Sequence, residues 1–372
     1  MNTILDDLFC AYFGARKNKR NTINALSFEL NYESNLIRLY EEIIDRRYEI
    51  SKSICFINFS PIQREIFAAD FRDRIVHHLV FNYINPVFEK IFINDSYSCR
   101  KNKGTHYGIN RIRRFISQCS QNYTDDAYIM KLDIEGYFMK MDRELLYRKV
   151  INTVKDFRNE IKCDLVTLTY LLKKIIFNDP TINCKIKGKK KDWNGLPESK
   201  SLFCVESGKG FPIGNLTSQL FGNIYLNELD HYIKDDLGVK YYGRYVDDLV
   251  LVHRSKNYLL QCRDKIGRFL KDRLMMNLHE GKFYLQYFTK GVQYLGVYIK
   301  PYRIYIGKRC KTNFYQKILL WNKKGYESGE IMEEEKKVLF RANINSYLGL
   351  MKHYNTYRLR KKMIKRALES KT

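Results

Sequence analysis

The chain has 372 residues, 45% of them hydrophobic and 29% charged, so it can bury a sizeable core and is not a disordered polymer. Lysine and arginine number 66 against 41 aspartate and glutamate, a formal net charge of +25. That charge suits a polyanionic partner, nucleic acid or an anionic membrane surface, better than a small neutral metabolite. No run approaches the roughly 18 uninterrupted apolar residues of a membrane span. The start, MNTILDDLFCAYFGARKNKR, carries acids where a signal peptide needs a basic region. Nine widely spaced cysteines without a C-x-x-C argue against a disulfide framework or a zinc ribbon. The expectation is a cytoplasmic, membrane-free protein with reduced thiols.

From Thr22 to about Tyr48, Leu26, Leu30, Leu36, Leu39, Ile43 and Ile44 recur at helical spacing, which predicts one amphipathic helix. Ser53 to Phe59 reads as a strand, and Phe71 to Phe92 as a helix interrupted at Pro86. Ala127 to Asp133 is a short apolar run ending in an acid, as in a buried strand. Leu145 to Val154 and Leu165 to Phe177 read as helices, and Asn178 to Gly210, rich in Gly, Lys and Ser, as loop or short hairpin. Leu216 to Lys234 returns to helix. The runs VKYYGRYV and LVLVH then flank Asp247 and Asp248, which predicts a hairpin with two acids at its tip. Asn257 to Leu274 is helical, Gln293 to Ile306 strand-like, and the stretch after Cys310 helical and increasingly basic. Mixed elements without regular βαβ repeats predict an α+β fold.

Asp133 at one strand end and Asp247–Asp248 at a hairpin tip are the candidate chemistry. Three carboxylates brought together repel and raise one another's pKa unless a divalent cation neutralises them. Hard oxygen donors with room for water and phosphate favour Mg²⁺. Taken alone, an Asp-Asp pair also reads as a solvated turn.

Tyr245-Val246-Asp247-Asp248 resembles the Tyr-x-Asp-Asp box of reverse transcriptases, flanking strands included. MKLDIEGYF around Asp133 resembles that family's first catalytic box, and GFPIGNLTSQLFGNIYLNELD its intervening box. Arg64, in PIQREIFAADFRDRIV, falls where the family's fingers carry a triphosphate-binding arginine, and QYLGVYI from Gln293 looks like the primer-grip hairpin. Pro212-Ile213-Gly214-Asn215, where retroviral and group II intron enzymes usually have Pro-Gln-Gly, resembles reverse transcriptases of diversity-generating retroelements. FINDSYSCRKNKGTHYGI, DWNGLPESKSLF and INSYLGLMKHYNTYRLRKK look like the same lineage, to which antiphage-defence enzymes are related.

The resemblance implies an α+β right-hand polymerase: residues 1–125 as N-terminal extension and fingers, 126–307 as palm with an insertion at 178–210, and 308–372 as a short, basic, helical thumb. It implies DNA synthesis on RNA from dNTPs with two Mg²⁺ ions held by Asp133, Asp247, Asp248 and the carbonyl of Ile134. Arg64 would meet the triphosphate, and Ile213 and Gly214 the nascent base pair. Phe138 falls at the family's steric gate, or is an ordinary core aromatic. Lys282 lies near its protonating lysine, or is a solvated surface lysine. Lys187, Lys189 and Lys190 would contact RNA phosphate or lie in a solvated loop. Arg358, Arg360, Lys361 and Lys362 would lie on duplex or on an exposed amphipathic helix. A dedicated noncoding RNA template, an RNA/DNA duplex and an accessory protein or second copy are the implied partners. Two rival readings keep the fold: an antiphage-defence reverse transcriptase with a repetitive, untemplated or protein-primed product, and a non-catalytic RNA-binding scaffold.

Overall fold

The computed structural model describes residues 3–17, 19, 22–59, 62–328 and 334–369. Parts of the expected thumb (329–333 and 370–372) and Pro61 of the arginine-bearing segment lie outside the described residues. Helix α1 (Ile4–Arg16) opens on a capping box in which the Thr3 hydroxyl accepts from the Asp6 N–H and the Asp6 carboxylate accepts from the Thr3 N–H. Helices α2 (Ile23–Glu29) and α3 (Tyr32–Ile44) replace the single helix expected from Thr22 to Tyr48. The break falls at Asn31, whose backbone (φ −136°, ψ 47°) is not helical. Leu26 and Leu30, which extend the apolar spacing into α2, are exposed, so the periodicity that predicts one helix does not follow one buried face.

Strands β1 (Ser53–Asn58) and β2 (Arg64–Ala68) pair antiparallel, and helix α4 (Phe71–Ile91) follows. Pro86 does not interrupt α4; its neighbours Tyr83, Ile84, Val87 and Phe88 are all buried, and that packing holds the turn proline weakens. Helix α5 (Thr105–Cys119) leads to β3 (Tyr128–Asp133), the short α6 (Tyr137–Lys140), α7 (Arg143–Asp156) and α8 (Leu165–Phe177). Asp142 and Asp164 cap α7 and α8 by accepting from the N–H groups of Leu145 and Thr167 at 2.7 Å. Then come β4 (Cys184–Ile186), α9 (Leu216–His231), β5 (Tyr241–Tyr245), β6 (Asp248–His253) and α10 (Lys256–Leu274). Strands β7 (Tyr284–Tyr287), β8 (Val292–Tyr294), β9 (Val297–Lys300) and β10 (Arg303–Ile306) precede the helices α11 (Lys308–Ser328), α12 (Glu334–Lys352) and α13 (Tyr357–Glu369).

The fold is α+β. The central sheet has the order β5-β6-β3-β7 and is antiparallel throughout, as is the β10-β9-β8 meander. Alternation along the central strands sends side chains into two cores. Met130, Leu132, Leu249 and Leu251 pack with Leu220, Phe221 and Ile224 of α9 and Ile266 and Leu270 of α10. Ile129, Val250 and Val252 pack instead with Ile112, Phe115 and Ile116 of α5, the meander and Phe314 of α11. With both faces covered, the ends of β3 and β6 are where the sheet's polar groups meet open space. Among the described residues no helix is long and apolar enough to cross a membrane, and all nine cysteines are free thiols.

The 178–210 stretch is loop and short turns for most of its length, as its composition suggests, but it is tied to the β1–β2 sheet rather than paired on itself as a hairpin. Within it β4 pairs parallel with β1, and the Lys187 N–H donates to the Cys55 carbonyl at 2.8 Å. One buried acid anchors the rest: Glu65 of β2, 1% exposed, accepts from Trp193 Nε1 at 2.7 Å, Ser201 Oγ at 2.9 Å and the Leu202 N–H at 2.6 Å. Removing that acceptor strands three donors, each costing about 1–3 kcal/mol where it stays buried. Glu65→Ala therefore releases the segment from β2. The expected outcome is a red-shifted Trp193 emission and faster tryptic cleavage at Lys187–Lys191 than in wild type.

Candidate active site

The register of two strands places the acids. Asp133, last residue of β3, pairs directly with Asp248, first residue of β6. The Ile134 N–H donates to the Asp247 carbonyl at 3.3 Å, and the His279 N–H to the Asp133 carbonyl at 2.8 Å. Cross-strand partners project to the same face of a sheet, so the two carboxylates emerge side by side at its end. Asp247 sits one residue earlier, in the turn, behind Val246 with φ +56°. A β-branched residue at positive φ is strained, which marks the turn as held rather than relaxed. After β3 the chain reverses at Gly136 (φ +58°), a left-handed position suited to glycine, and carries Tyr137 and Phe138 back under the acids.

Two lysines face the carboxylates. Lys282 Nζ lies 2.9 Å from Asp133 Oδ1, and Lys131 Nζ lies 2.8 Å from Asp248 Oδ1. Asp247 makes no ion pair among the described residues, and burial first, then the charges of Asp133 and Asp248, push its carboxyl up to about 6. Among the described residues, no three carboxylate, imidazole or thiolate groups already converge on one point. Asp133 and Asp248 each turn an oxygen to an ammonium instead. The donor set still fits a hard divalent cation. Three acidic groups lie at one sheet end, the carboxyl of Asp247 pushed up first by burial and then by the charges of the other two, and added positive charge relieves that repulsion.

These acids line a cleft of about 690 Å³. Arg64, Phe138, Ile213, Gly214, Ile134 and Lys282 line the same cleft, so the structure brings together every expected residue of the nucleotide subsite. Arg64 opens β2 on an exposed edge and makes no ion pair among the described residues. The Phe67 N–H donates to the Ile213 carbonyl at 3.1 Å, binding that segment to β2. At Gly214 (φ +128°) a Cβ would lie 3.2 Å from the Phe67 carbonyl oxygen, so a side chain there would push the two segments apart. The remaining candidates lie elsewhere. Lys187, Lys189 and Lys190 are exposed on the 178–210 segment and do not line the cleft. Neither do Arg358, Arg360, Lys361 and Lys362 of α13; Arg358 borders a separate groove with Arg303 and Tyr305.

Several residues in the cleft or beside its acids were not anticipated. Lys131 is two positions before Asp133, and strand alternation alone puts both on one face, a signal open to reading. Lys200 and Ser199 reach the cleft from the 178–210 segment, and Ser98 and Cys99 from the loop before α5; they lie inside DWNGLPESKSLF and FINDSYSCRKNKGTHYGI, where residue chemistry gives them no distinct role. A groove of about 1040 Å³ on the α10 side, lined by Arg263, Arg268, Lys271 and Phe283, shares Asp133 with the cleft.

Residues 63–299 match the family model described as reverse transcriptase (RNA-dependent DNA polymerase). Protein YkfC of Escherichia coli strain K12 is 23% identical over 257 residues, covering 60% of this chain and 60% of YkfC. The chain thus spans about three-fifths of that relative's length. Among solved structures, an apo telomerase from Candida tropicalis truncated from its C-terminal domain is similar, with a TM-score of 0.46 and 13% identity. That match covers 72% of this chain and 59% of the telomerase. A second apo telomerase structure from the same organism has a TM-score of 0.45 and 11% identity, with 72% and 52% covered.

The raised pKa of Asp247 has a consequence for stability. An acid whose folded pKa lies above its unfolded value, near 3.8, destabilises the fold as pH rises between the two, and the penalty persists above about 6. In EDTA, Asp247→Asn is therefore expected to melt a few degrees above wild type at neutral pH. The gap should close as pH falls toward 4; thermal melts across that range read both.

Proposed function

The chain belongs to the reverse transcriptase family, and on that premise we propose that it is an RNA-directed DNA polymerase that extends a primer by two-metal nucleotidyl transfer. The observation that supports this most is the register of β3 on β6, with Asp133 opposite Asp248 beneath a cleft rimmed by Arg64. In this reading the central sheet is the palm, residues 1–125 with the 178–210 segment form the fingers, and the basic helices from residue 308 form the thumb.

Asp133, Asp247 and the Ile134 carbonyl would hold two Mg²⁺ ions, with Asp248 ligating or orienting from beside them. Bound there, the ions supply activation of the primer 3′-hydroxyl and neutralisation of the leaving pyrophosphate. Lys282 and Lys131 balance Asp133 and Asp248 before loading and must give way when it occurs. Lys282, freed from Asp133 and 55% exposed, can then turn to the pyrophosphate and donate a proton. Arg64 offers several N–H donors to the triphosphate from the cleft edge. The Phe138 ring limits the room beside the sugar and so disfavours a ribose 2′-hydroxyl. Lys187, Lys189, Lys190 and the α13 cations, off the cleft, would meet the nucleic-acid backbone away from the reacting end.

Within that activity we favour the diversity-generating retroelement lineage, copying a dedicated noncoding RNA with an accessory protein or second copy. Ile213, an aliphatic residue on the cleft wall, would touch the nascent pair without hydrogen bonding it, leaving pairing opposite template adenine loose.

Primer extension on RNA with dNTPs and Mg²⁺ tests the activity. Wild type is expected to extend, EDTA to abolish extension, and Asp247→Asn to lose on the order of 10³-fold or more. Equal extension by both proteins contradicts the assigned site. For the lineage, Ile213→Gln should lower misincorporation opposite template adenine in the sequenced products; an unchanged error spectrum contradicts it.

A further inference from the structure

Behind the acidic turn lies a charge that none of these roles uses. Arg244 and Asp230 are each 0% exposed. The guanidinium meets the carboxylate in a two-pronged pair, Nε to Oδ1 at 2.8 Å and Nη2 to Oδ2 at 2.6 Å, and Tyr242 donates its hydroxyl to the same Oδ1 at 2.6 Å. A buried ion pair adds little stability over apolar residues of similar volume, so its burial here asks for another reason. The third prong supplies one. Arg244 Nη1 donates at 2.9 Å to the carbonyl of Val246, the residue at φ +56° immediately before Asp247. The same guanidinium donates to Ser96 Oγ at 3.2 Å, and backbone bonds join Arg244 to Asp95 and Tyr97.

We propose that Arg244, fixed by Asp230, is a positioning residue: it clamps the Val246 carbonyl and thereby holds the Asp247 carboxylate where nucleotidyl transfer needs it. This rests on the polymerase reading above. A guanidinium suits the task because its planar fork serves two oxygens of Asp230 and still presents a donor to the turn. A lysine keeps the charge but, with its three donors on one nitrogen at the end of a shorter stem, cannot span both. The strained Val246 conformation persists because the surroundings over-determine it, and this bond is the side-chain contact that reaches the turn's own backbone.

The test separates positioning from mere core stability. In the triple variant Arg244→Met, Asp230→Leu, Tyr242→Phe, the buried charges leave together and only neutral acceptors, such as the Ser96 hydroxyl and the Val246 carbonyl, lose a donor, so melting should stay within a few degrees of wild type. Positioning predicts that kcat for primer extension falls at least about tenfold with the dNTP KM little changed, and that amide exchange across Tyr245–Asp248 quickens about tenfold. Arg244→Lys, which keeps the pair's charge, should show the same two changes, and it decides alone if the triple variant does not fold. Unchanged kcat, or unchanged exchange at the turn, in a folded variant overturns the proposal. If wild type itself extends no primer, the polymerase reading fails, while the exchange measurement still judges the clamp.

Discussion

The backbone ladder between β3 and β6 is the constraint on which the site depends. Its register sets Asp133 against Asp248 and draws the Ile134 N–H to the Asp247 carbonyl. Like charges directly opposite one another destabilise a sheet. The ladder nevertheless holds because three apolar pairs behind it, Leu132–Leu249, Met130–Leu251 and Ile129–Val252, with the Lys131–Val250 position between, bind the strands to cores on both faces. Burial elsewhere in the sheet thus offsets repulsion concentrated at one end.

That repulsion is answered by cations of two kinds. Lys282 and Lys131 approach from the open side, partly exposed and free to move. Arg244 approaches from behind, fully buried and immobilised by Asp230. Mobile ammonium groups in front can exchange with divalent cations and phosphate as the cleft loads, whereas a fixed guanidinium behind keeps the turn in one geometry. Glu65 plays a comparable part at the cleft's far wall, where one buried carboxylate joins β2, which begins at Arg64, to the segment that carries Lys200.

Much of this was legible in the sequence where a pattern repeats. The β5–β6 hairpin, the β3 run and helices α7, α8 and α10 follow from periodicity and fall within a few residues of expectation. Shorter elements were not. β4 and β7 are three and four residues long and exist because β1 and β3 offer them a partner, which no local pattern encodes. The break at Asn31 was masked because Leu26 and Leu30 continue the apolar spacing of α3, although both are exposed. Residue chemistry alone reached only strand-end acids with an open alternative as a solvated turn; the roles of Arg64, Ile213 and Lys282 came from resemblance. Buried charges such as Arg244, Asp230 and Glu65 stayed invisible because a charged residue in a strand or helix reads as solvent-facing until its partners are known.

The most direct measurement is anomalous diffraction from crystals of the protein soaked in Mn²⁺, a scattering stand-in for Mg²⁺. The account expects a peak within about 2.2 Å of carboxylate oxygens from both Asp133 and Asp247, with Lys282 swung away from Asp133. With primer, template and dNTP bound, a second peak should appear about 3.5–4 Å from the first. Peaks that touch only one of the two acids, or none at the end of β3, would contradict it.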